Sequence, residues 1–289
     1  MVYAPKERGQ RAYRKEKHKK KCLKVYYNNI NGYQSKEQSF LKIIKETSPD
    51  IIALCETKRG QMKETSRDDV IPGYKTLENN VKRGKEGLMV ALKKGSFKTF
   101  REVTDKESKN IFTVRVEYPN ITVRIIILHA PQETDKVEER SEFFEEVTEQ
   151  IERCHTSEEV PIVLGDFNAR TEYKEGKVAA DSSNGKMLLE MVENFRMKIA
   201  NYHPLTSGQW TRIQKRKDGS TKRSMLDYVL LQQELYETIG EMIVDEEKIH
   251  CPYRETKSKA GKQITFSDHC AIIIKLEINV GTLQNKAKK

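Results

Sequence analysis

Short apolar runs separated by polar, turn-rich stretches recur between residues 23 and 278. Leu23 to Tyr27, Ile51 to Cys55, Gly87 to Leu92, Ile111 to Val116, Ile121 to Leu128, Ile162 to Leu164 and Cys270 to Ile278 have the length and composition of buried strands. The runs 111–116 and 121–128 flank Tyr118-Pro119-Asn120 and read as a hairpin. Phe40, Ile43, Ile44 and Thr47 follow helical spacing behind a capping box, Ser35-x-x-Gln38, and Ser48-Pro49-Asp50 stops that helix. A second, acidic helix over 134–155 turns Val137, Phe144, Val147 and Ile151 inward. Lys186 to Met197 and Leu231 to Ile239 read as further helices, with short strands at Lys198 to Tyr202 and Met242 to Val244. Residues 57–80 and 250–267 read as loops, the second one basic. Residues 210–229 form a long hairpin around Asp218-Gly219. A two-residue turn there sets Lys217 opposite Ser220, Gln214 opposite Arg223 and Trp210 opposite Asp227. Strands and helices alternate throughout, which predicts one α/β domain over 23–278.

Polar residues punctuate the strand ends. Asn29 follows the first strand, Glu56 the second, and Pro161-Ile-Val-Leu-Gly-Asp166-Phe-Asn168 carries an acid and an amide out of a buried strand. Asp268-His269 precede the last strand, and Asp227 lies in the apolar segment 224–230. Asp166 and Asn168, two apart on an extended chain, point the same way; an Asx-turn is the structural alternative. In open α/β folds, functional groups gather beyond strand ends on one edge. Several acids gathered there repel one another and call for a cation. Oxygen ligands without clustered Cys or His favour Mg²⁺ or Mn²⁺ over zinc.

Charge is unevenly spread over the 289 residues, whose net is +10. Residues 1–22 hold nine Lys/Arg against two acids, and residues 279–289 hold three Lys and no acid, so the body is close to neutral. Two basic arms, 1–22 and 279–289, fit a polyanionic partner found by counterion release. A solvated tail or a localisation signal is the alternative. The five cysteines are scattered without CxxC spacing, which argues against a zinc site or disulfide framework and for a reducing, intracellular compartment. No segment has the length and apolarity of a membrane span.

Asn29-Ile-Asn31-Gly32, Leu54-Cys-Glu56-Thr, Gly165-Asp166-Phe-Asn168, Leu226-Asp227-Tyr and Ser267-Asp268-His269, in that order, resemble the motifs of the endonuclease/exonuclease/phosphatase family. That family includes exonuclease III, apurinic endonucleases and DNase I-like enzymes. The resemblance covers nearly all of 23–278. It implies a four-layer α/β sandwich, two packed mixed sheets flanked by helices. It also implies that Glu56 is the main Mg²⁺ ligand, with Asn29 beside it and Asp268 joining. Asp166 would orient or deprotonate the attacking water and Asn168 would donate to the scissile phosphate. His269, held by Asp227, would carry positive charge to the transition state. His129, in Leu128-His129-Ala130-Pro131, stands where nuclease members often have tyrosine, and its imidazole can donate to a phosphate oxygen as well.

The hairpin tip carries Arg212, Lys215, Arg216, Lys217, Lys222 and Arg223 against Asp218 alone. Like charges crowded on a ribbon destabilise it, so a polyanionic partner is expected, which the family resemblance implies is double-stranded DNA, with Thr211 included in the contact; a solvated, edge-protecting hairpin is the alternative. A basic hairpin here is similar to that of the endonuclease domains of non-LTR retrotransposons, as are Gly87-Leu-Met-Val-Ala-Leu and Trp210-Thr211. That resemblance implies a nick leaving a 3′-hydroxyl, a reverse transcriptase domain in the same polyprotein and a nuclear location. An apurinic repair endonuclease, a phosphoesterase acting on a small substrate and a binding module on an inactive scaffold are the competing readings.

Overall fold

The computed structural model of the chain describes residues 22–59, 70–79, 86–103, 108–174, 176–258 and 261–278. The expected basic arms lie outside the described residues, Cys22 excepted. In chain order, β1 (Leu23–Asn29), α1 (Glu37–Thr47), β2 (Ile51–Cys55), β3 (Tyr74–Asn79) and β4 (Leu88–Lys93) come first. Next are β5 (Thr99–Glu102), β6 (Ile111–Glu117), β7 (Thr122–His129), α2 (Val137–Thr156) and β8 (Val160–Asp166). β9 (Thr171–Lys174), β10 (Lys177–Ala180), α3 (Ser183–Asn194), β11 (Met197–Ile199) and β12 (Thr206–Ser207) follow. The last part holds β13 (Arg212–Lys215), β14 (Thr221–Ser224), β15 (Asp227–Gln232), α4 (Gln233–Tyr236), β16 (Ile239–Val244), β17 (Tyr253–Ser258), β18 (Gly261–Phe266) and β19 (Ile272–Leu276).

Two mixed sheets pack face to face, as the α/β sandwich expectation requires. The first has the order β12-β16-β19-β1-β2-β4-β3, the second β11-β15-β8-β7-β6-β5. In each, a parallel pair (β1 with β2, β7 with β8) adjoins antiparallel neighbours. Side chains alternate between faces with period two. Val25 and Tyr27 of β1, Ile125 and Ile127 of β7, Ile162 and Leu164 of β8, and Val229 and Leu231 of β15 therefore share one inter-sheet core. The opposite face of the first sheet is covered by Phe40, Ile43 and Ile44 of α1. That of the second is covered by Phe143, Phe144, Val147 and Ile151 of α2 with Leu188 and Met191 of α3. The four layers follow from these faces, because each sheet is apolar on both sides and must be covered on both.

Several local expectations need correction. Ser35 caps nothing: its hydroxyl donates to the Gly32 carbonyl, and α1 begins at Glu37 without a side-chain cap. Val137 is 58% exposed, because α2 starts there and its inward stripe begins one turn later. The loop expected over 57–80 contains β3, an edge strand that buries only Tyr74 and Thr76 fully and so shows no apolar run. The basic loop expected over 250–267 is a hairpin, β17 with β18, whose second strand is exposed at every position. Leu231 belongs to β15, Met197 to β11, and α4 is a single short turn. The β13–β14 ladder runs from Arg212 opposite Ser224 to Lys215 opposite Thr221, one residue out of the expected register and much shorter. Its loop has three residues rather than two: Arg216 accepts from Gly219 N–H and donates to the Ser220 carbonyl, with Gly219 at φ +82°.

Candidate active site

The inter-sheet faces run out of apolar residues together, at one end of the sandwich. Two residues beyond Tyr27 on β1 comes Asn29, and beyond Ile127 on β7 comes His129. Asp166 follows Leu164 on β8 by the same step, and Asp227 opens the inward row of β15. Strand register then sets His129 and Asp227 on either side of Asp166. Gly165 permits this approach, since a Cβ there would lie 2.1 Å from the Leu128 carbonyl oxygen.

Asp166 and Asp227 are both buried, and their carboxylates together with His269 present ligand atoms within 4.8 Å of one another. Two unit charges at that separation repel by roughly 3–4 kcal/mol even at an effective dielectric near 20, so a positive group must lie between them. His269 is that group. Its Nδ1 is 2.8 Å from Asp227 Oδ2 and its Nε2 is 3.6 Å from Asp166 Oδ2. Burial opposes the imidazolium, but the carboxylates of Asp227 and Asp166 outweigh it and raise the His269 pKa to about 9. Burial and the Asp227 charge raise the pKa of Asp166, against the pull of His269 and His129.

Asp227 is fully committed. Tyr27 Oη donates to its Oδ1 at 2.8 Å while Oδ2 meets His269. Its backbone N–H donates to Thr211 Oγ1, and its carbonyl accepts from Asn201 Nδ2. The ligand atoms of the Asp166–Asp227–His269 cluster are therefore largely spoken for, an arrangement better suited to holding a proton than to enclosing an ion. Asp166 divides its two oxygens: Oδ1 accepts from Asn168 N–H at 3.0 Å, an Asx-turn contact, and Oδ2 faces Asn29 Nδ2, His269 and His129. The chain is not extended through Asn168, whose φ of +45° turns its side chain so that Nδ2 donates to the Ala130 carbonyl at 2.8 Å.

A second cluster lies on the first sheet. Asn29 Nδ2 bridges Glu56 Oε1 at 2.9 Å and Asp166 Oδ2 at 3.2 Å. His129 Nε2 is 3.7 Å from Glu56 Oε1 and 3.9 Å from Asp166 Oδ2. Glu56 holds a left-handed backbone, φ +49°, an uncommon conformation for a residue with a long side chain and one associated with functional sites. Burial alone would raise its pKa, but the Asn29 hydrogen bond, His129 and Lys58 lower it, so it is an anion at neutral pH. Asn29 Oδ1 is buried and has no hydrogen-bond partner. An orphaned oxygen next to an ionised carboxylate is a donor pair suited to a hard divalent cation, and the set fits Mg²⁺ or Mn²⁺. Asp268 Oδ2 is 2.7 Å from Arg212 Nε; burial opposes its ionisation, but His269 and Arg212 lower its pKa.

Some participants were not legible in the sequence. Tyr27 reaches Asp227 across the sheets. Ser267 Oγ donates to the Asn29 carbonyl and accepts from His269 N–H, fixing the segment that carries the imidazole. Lys58 Nζ is 3.0 Å from Glu56 Oε2 and donates to Asn31 Oδ1. Lys36 Nζ is buried against the carbonyls of Ile30 and Asn31, and burial together with Lys58 lowers its pKa to about 8. Only Tyr27 left a signal, its place in the inward row two residues before Asn29.

Of the hairpin residues, Thr211 is a correction. It is wholly buried, and its hydroxyl accepts from the N–H groups of Leu226 and Asp227, so it holds the hairpin base to β15 and is closed to DNA. Arg212 is half-buried on Asp268 at the site's edge. Lys215, Arg216, Lys217, Lys222 and Arg223 are exposed along the ribbon.

The model of the endonuclease/exonuclease/phosphatase family matches residues 29–269. No curated protein sequence matches the chain. Among solved structures, an AP endonuclease from Leishmania major superposes with TM-score 0.65 at 13% identity, covering 88% of this chain and 87% of its own. A 3′-5′ exonuclease from Neisseria meningitidis gives TM-score 0.65 at 16% identity, covering 88% of this chain and 99% of its own. The endonuclease domain of TRAS1, a telomere-specific non-LTR retrotransposon, gives TM-score 0.58 at 14% identity, with 89% and 99% covered. With the motif-bearing strand ends converging on one mouth and the family match spanning most of its length, this chain belongs to the endonuclease/exonuclease/phosphatase family and is a hydrolytic phosphoesterase.

Proposed function

We propose that the chain is a divalent-metal-dependent DNA endonuclease. The observation that carries this reading is the bridge of Asn29 Nδ2 between Glu56 and Asp166, which joins a cation-binding pair to a carboxylate with a raised pKa. Glu56 and Asn29 Oδ1 would hold the cation, with Asp268 joining once released from Arg212. A cation there supplies charge to the phosphate under attack and lowers the pKa of a bound water. Asp166 Oδ2, with Asn29 fixing it, accepts the proton of the attacking water. His269, kept protonated by Asp227, offers its Nε2 proton to a phosphoryl oxygen as charge grows there. His129 Nε2, at the other side of Asp166, is placed to donate to the same group. Asn168 donates through the amide hydrogen that Ala130 leaves free.

DNA is favoured as substrate by the β13–β14 ribbon, which is rooted on the site. Ile213 N–H donates to the Asp268 carbonyl, and Arg212 bridges to His269. A small phosphorylated substrate gains nothing from a basic ribbon outside the pocket. The retrotransposon-like motifs favour a nick leaving a 3′-hydroxyl that a reverse transcriptase could extend, and with it a nuclear site of action.

A supercoiled-plasmid assay tests the reading. Nicking should require Mg²⁺, stop with EDTA, and disappear in Glu56→Ala, Asp166→Ala and His269→Ala. Nicking by Asp166→Ala at the wild-type rate would remove the assigned base. Cut positions on a defined duplex, with and without an abasic site, separate target nicking from apurinic repair. Turnover of an inositol phosphate in place of DNA would favour the small-substrate alternative.

A further inference from the structure

A second ribbon stands beside the site. β17 and β18 pair from Tyr253 opposite Phe266 to Lys257 opposite Lys262. Every described side chain of β18 is exposed, including Ile264 at 53% and Phe266 at 38%. A two-stranded ribbon covered only at its foot, where Tyr253 meets α1, is marginally stable in water. Lys257 directly opposite Lys262 makes it less so, relieved in part by Glu255 3.1 Å from Lys262. A strand pair kept in this form needs a partner that takes positive charge and apolar surface together.

Both ribbons are anchored to the same short segment. β18 runs into Ser267-Asp268-His269, and β13 bonds to the Asp268 carbonyl and bridges to His269. Their feet rest on different layers. Tyr253 exchanges hydrogen bonds with Ser39 of α1, which covers the first sheet. Thr211, at the foot of β13, is bonded to the start of β15 in the second sheet. A six-residue strand extends about 20 Å, the length of about six base pairs of duplex.

We propose that the β17–β18 ribbon is a second DNA-binding arm, engaging the duplex on the other side of the scissile phosphate from β13–β14. Lys257 and Lys262 meet phosphates, and Ile264 with Phe266, on the same face of the ribbon, packs on sugar and base edges. This inference rests on DNA being the substrate. Its partner is fixed by charge complementarity and by continuity with the catalytic segment. Binding of another protein chain to the same ribbon is the outcome the test must exclude.

The test compares wild type with Lys257→Glu/Lys262→Glu and with Lys98→Glu/Arg101→Glu, an equal charge change at the far edge of the second sheet. Affinity for a 40-base-pair duplex is measured against salt concentration in Ca²⁺, and nicking is measured in Mg²⁺ at saturating DNA. Two lost phosphate contacts should weaken binding roughly tenfold or more at low salt and reduce the slope of log K against log salt by about 2. The footprint should shorten on one side of the cut only, and nicking at saturation should stay within twofold. The Lys98/Arg101 variant should change none of these. Equal affinity, slope and footprint in the Lys257/Lys262 variant, with wild-type enzyme nicking normally, overturns the second arm and leaves the endonuclease reading intact. Failure of the wild type to bind or nick DNA overturns that reading itself. Ile264→Ser supplies a variant without charge change: it should shift cut-site preference without altering the salt slope, and an unchanged cut pattern removes the apolar contact.

Discussion

The two sheets deliver different chemistry to the mouth they share. The first contributes Asn29, whose amide oxygen is unpartnered, with Glu56 bonded to its nitrogen, and Asp268, held by Arg212. The second contributes Asp166, Asp227 and His129, which strand register sets side by side. His269 crosses over: it is carried just ahead of β19 in the first sheet and bonded to Asp227 in the second. On the proposed reading, cation binding and proton handling are built on separate frameworks and joined by Asn29 and His269. The same strands two residues further in are plain core, so function begins where the apolar period stops.

That division can be broken one side at a time. The largest effect is expected on the second sheet. Asp166→Asn should lower the nicking rate on the order of 10³-fold, in line with loss of a general base. It should also raise the melting temperature, because it removes a buried charge next to Asp227. Leu164→Ala, two residues away on the same face, should do the reverse: about 2–5 kcal/mol of stability lost, with turnover per folded molecule retained. A melting temperature that falls in Asp166→Asn would show that the two carboxylates do not strain the fold.

On the first sheet, Glu56→Gln should raise the Mg²⁺ concentration for half-maximal nicking by roughly 10–100-fold, with partial recovery in excess metal. An unchanged metal dependence would move the ion elsewhere. Tyr27→Phe tests the crossing point and should slow turnover about tenfold without changing the metal requirement, since one hydrogen bond to a charged group is lost. The smallest effect is on folding. His269 has a pKa raised from the ordinary 6.5 to about 9, so its contribution to stability is complete below about 6.5 and is lost as pH rises through about 9. Denaturant titrations in chelator should therefore show wild type losing its advantage over His269→Ala across that window.

The sequence disclosed the frame of this site better than its furniture. Asn29, His129 and Asp166 each sit one period-two step beyond a buried residue, and Asp227 opens such a row, so strand patterning alone brings them to strand ends. Ser267 and Lys58 could not be found that way, and for Tyr27 the pattern gives the inward row but not its partner. Tyr27 meets Asp227 across 200 residues, a contact that depends on how the sheets stack, and Ser267 meets Asn29 across 238, through the pairing of β1 with β19. The β17–β18 ribbon was invisible for the opposite reason: β18 is exposed throughout and β17 only half-buried at Tyr253 and Thr256, so neither carries an apolar alternation to detect. Thr211 looked like part of an interface because its neighbours are basic, whereas its hydroxyl is spent on two backbone donors.

The most direct measurement is anomalous diffraction from crystals soaked in Mn²⁺. A peak against the Glu56 carboxylate, within bonding distance of Asn29 Oδ1 and clear of Asp227, is the predicted result. A peak enclosed by Asp166, Asp227 and His269 would contradict the division of labour between the sheets, because the proton-handling groups would then be the ion's ligands.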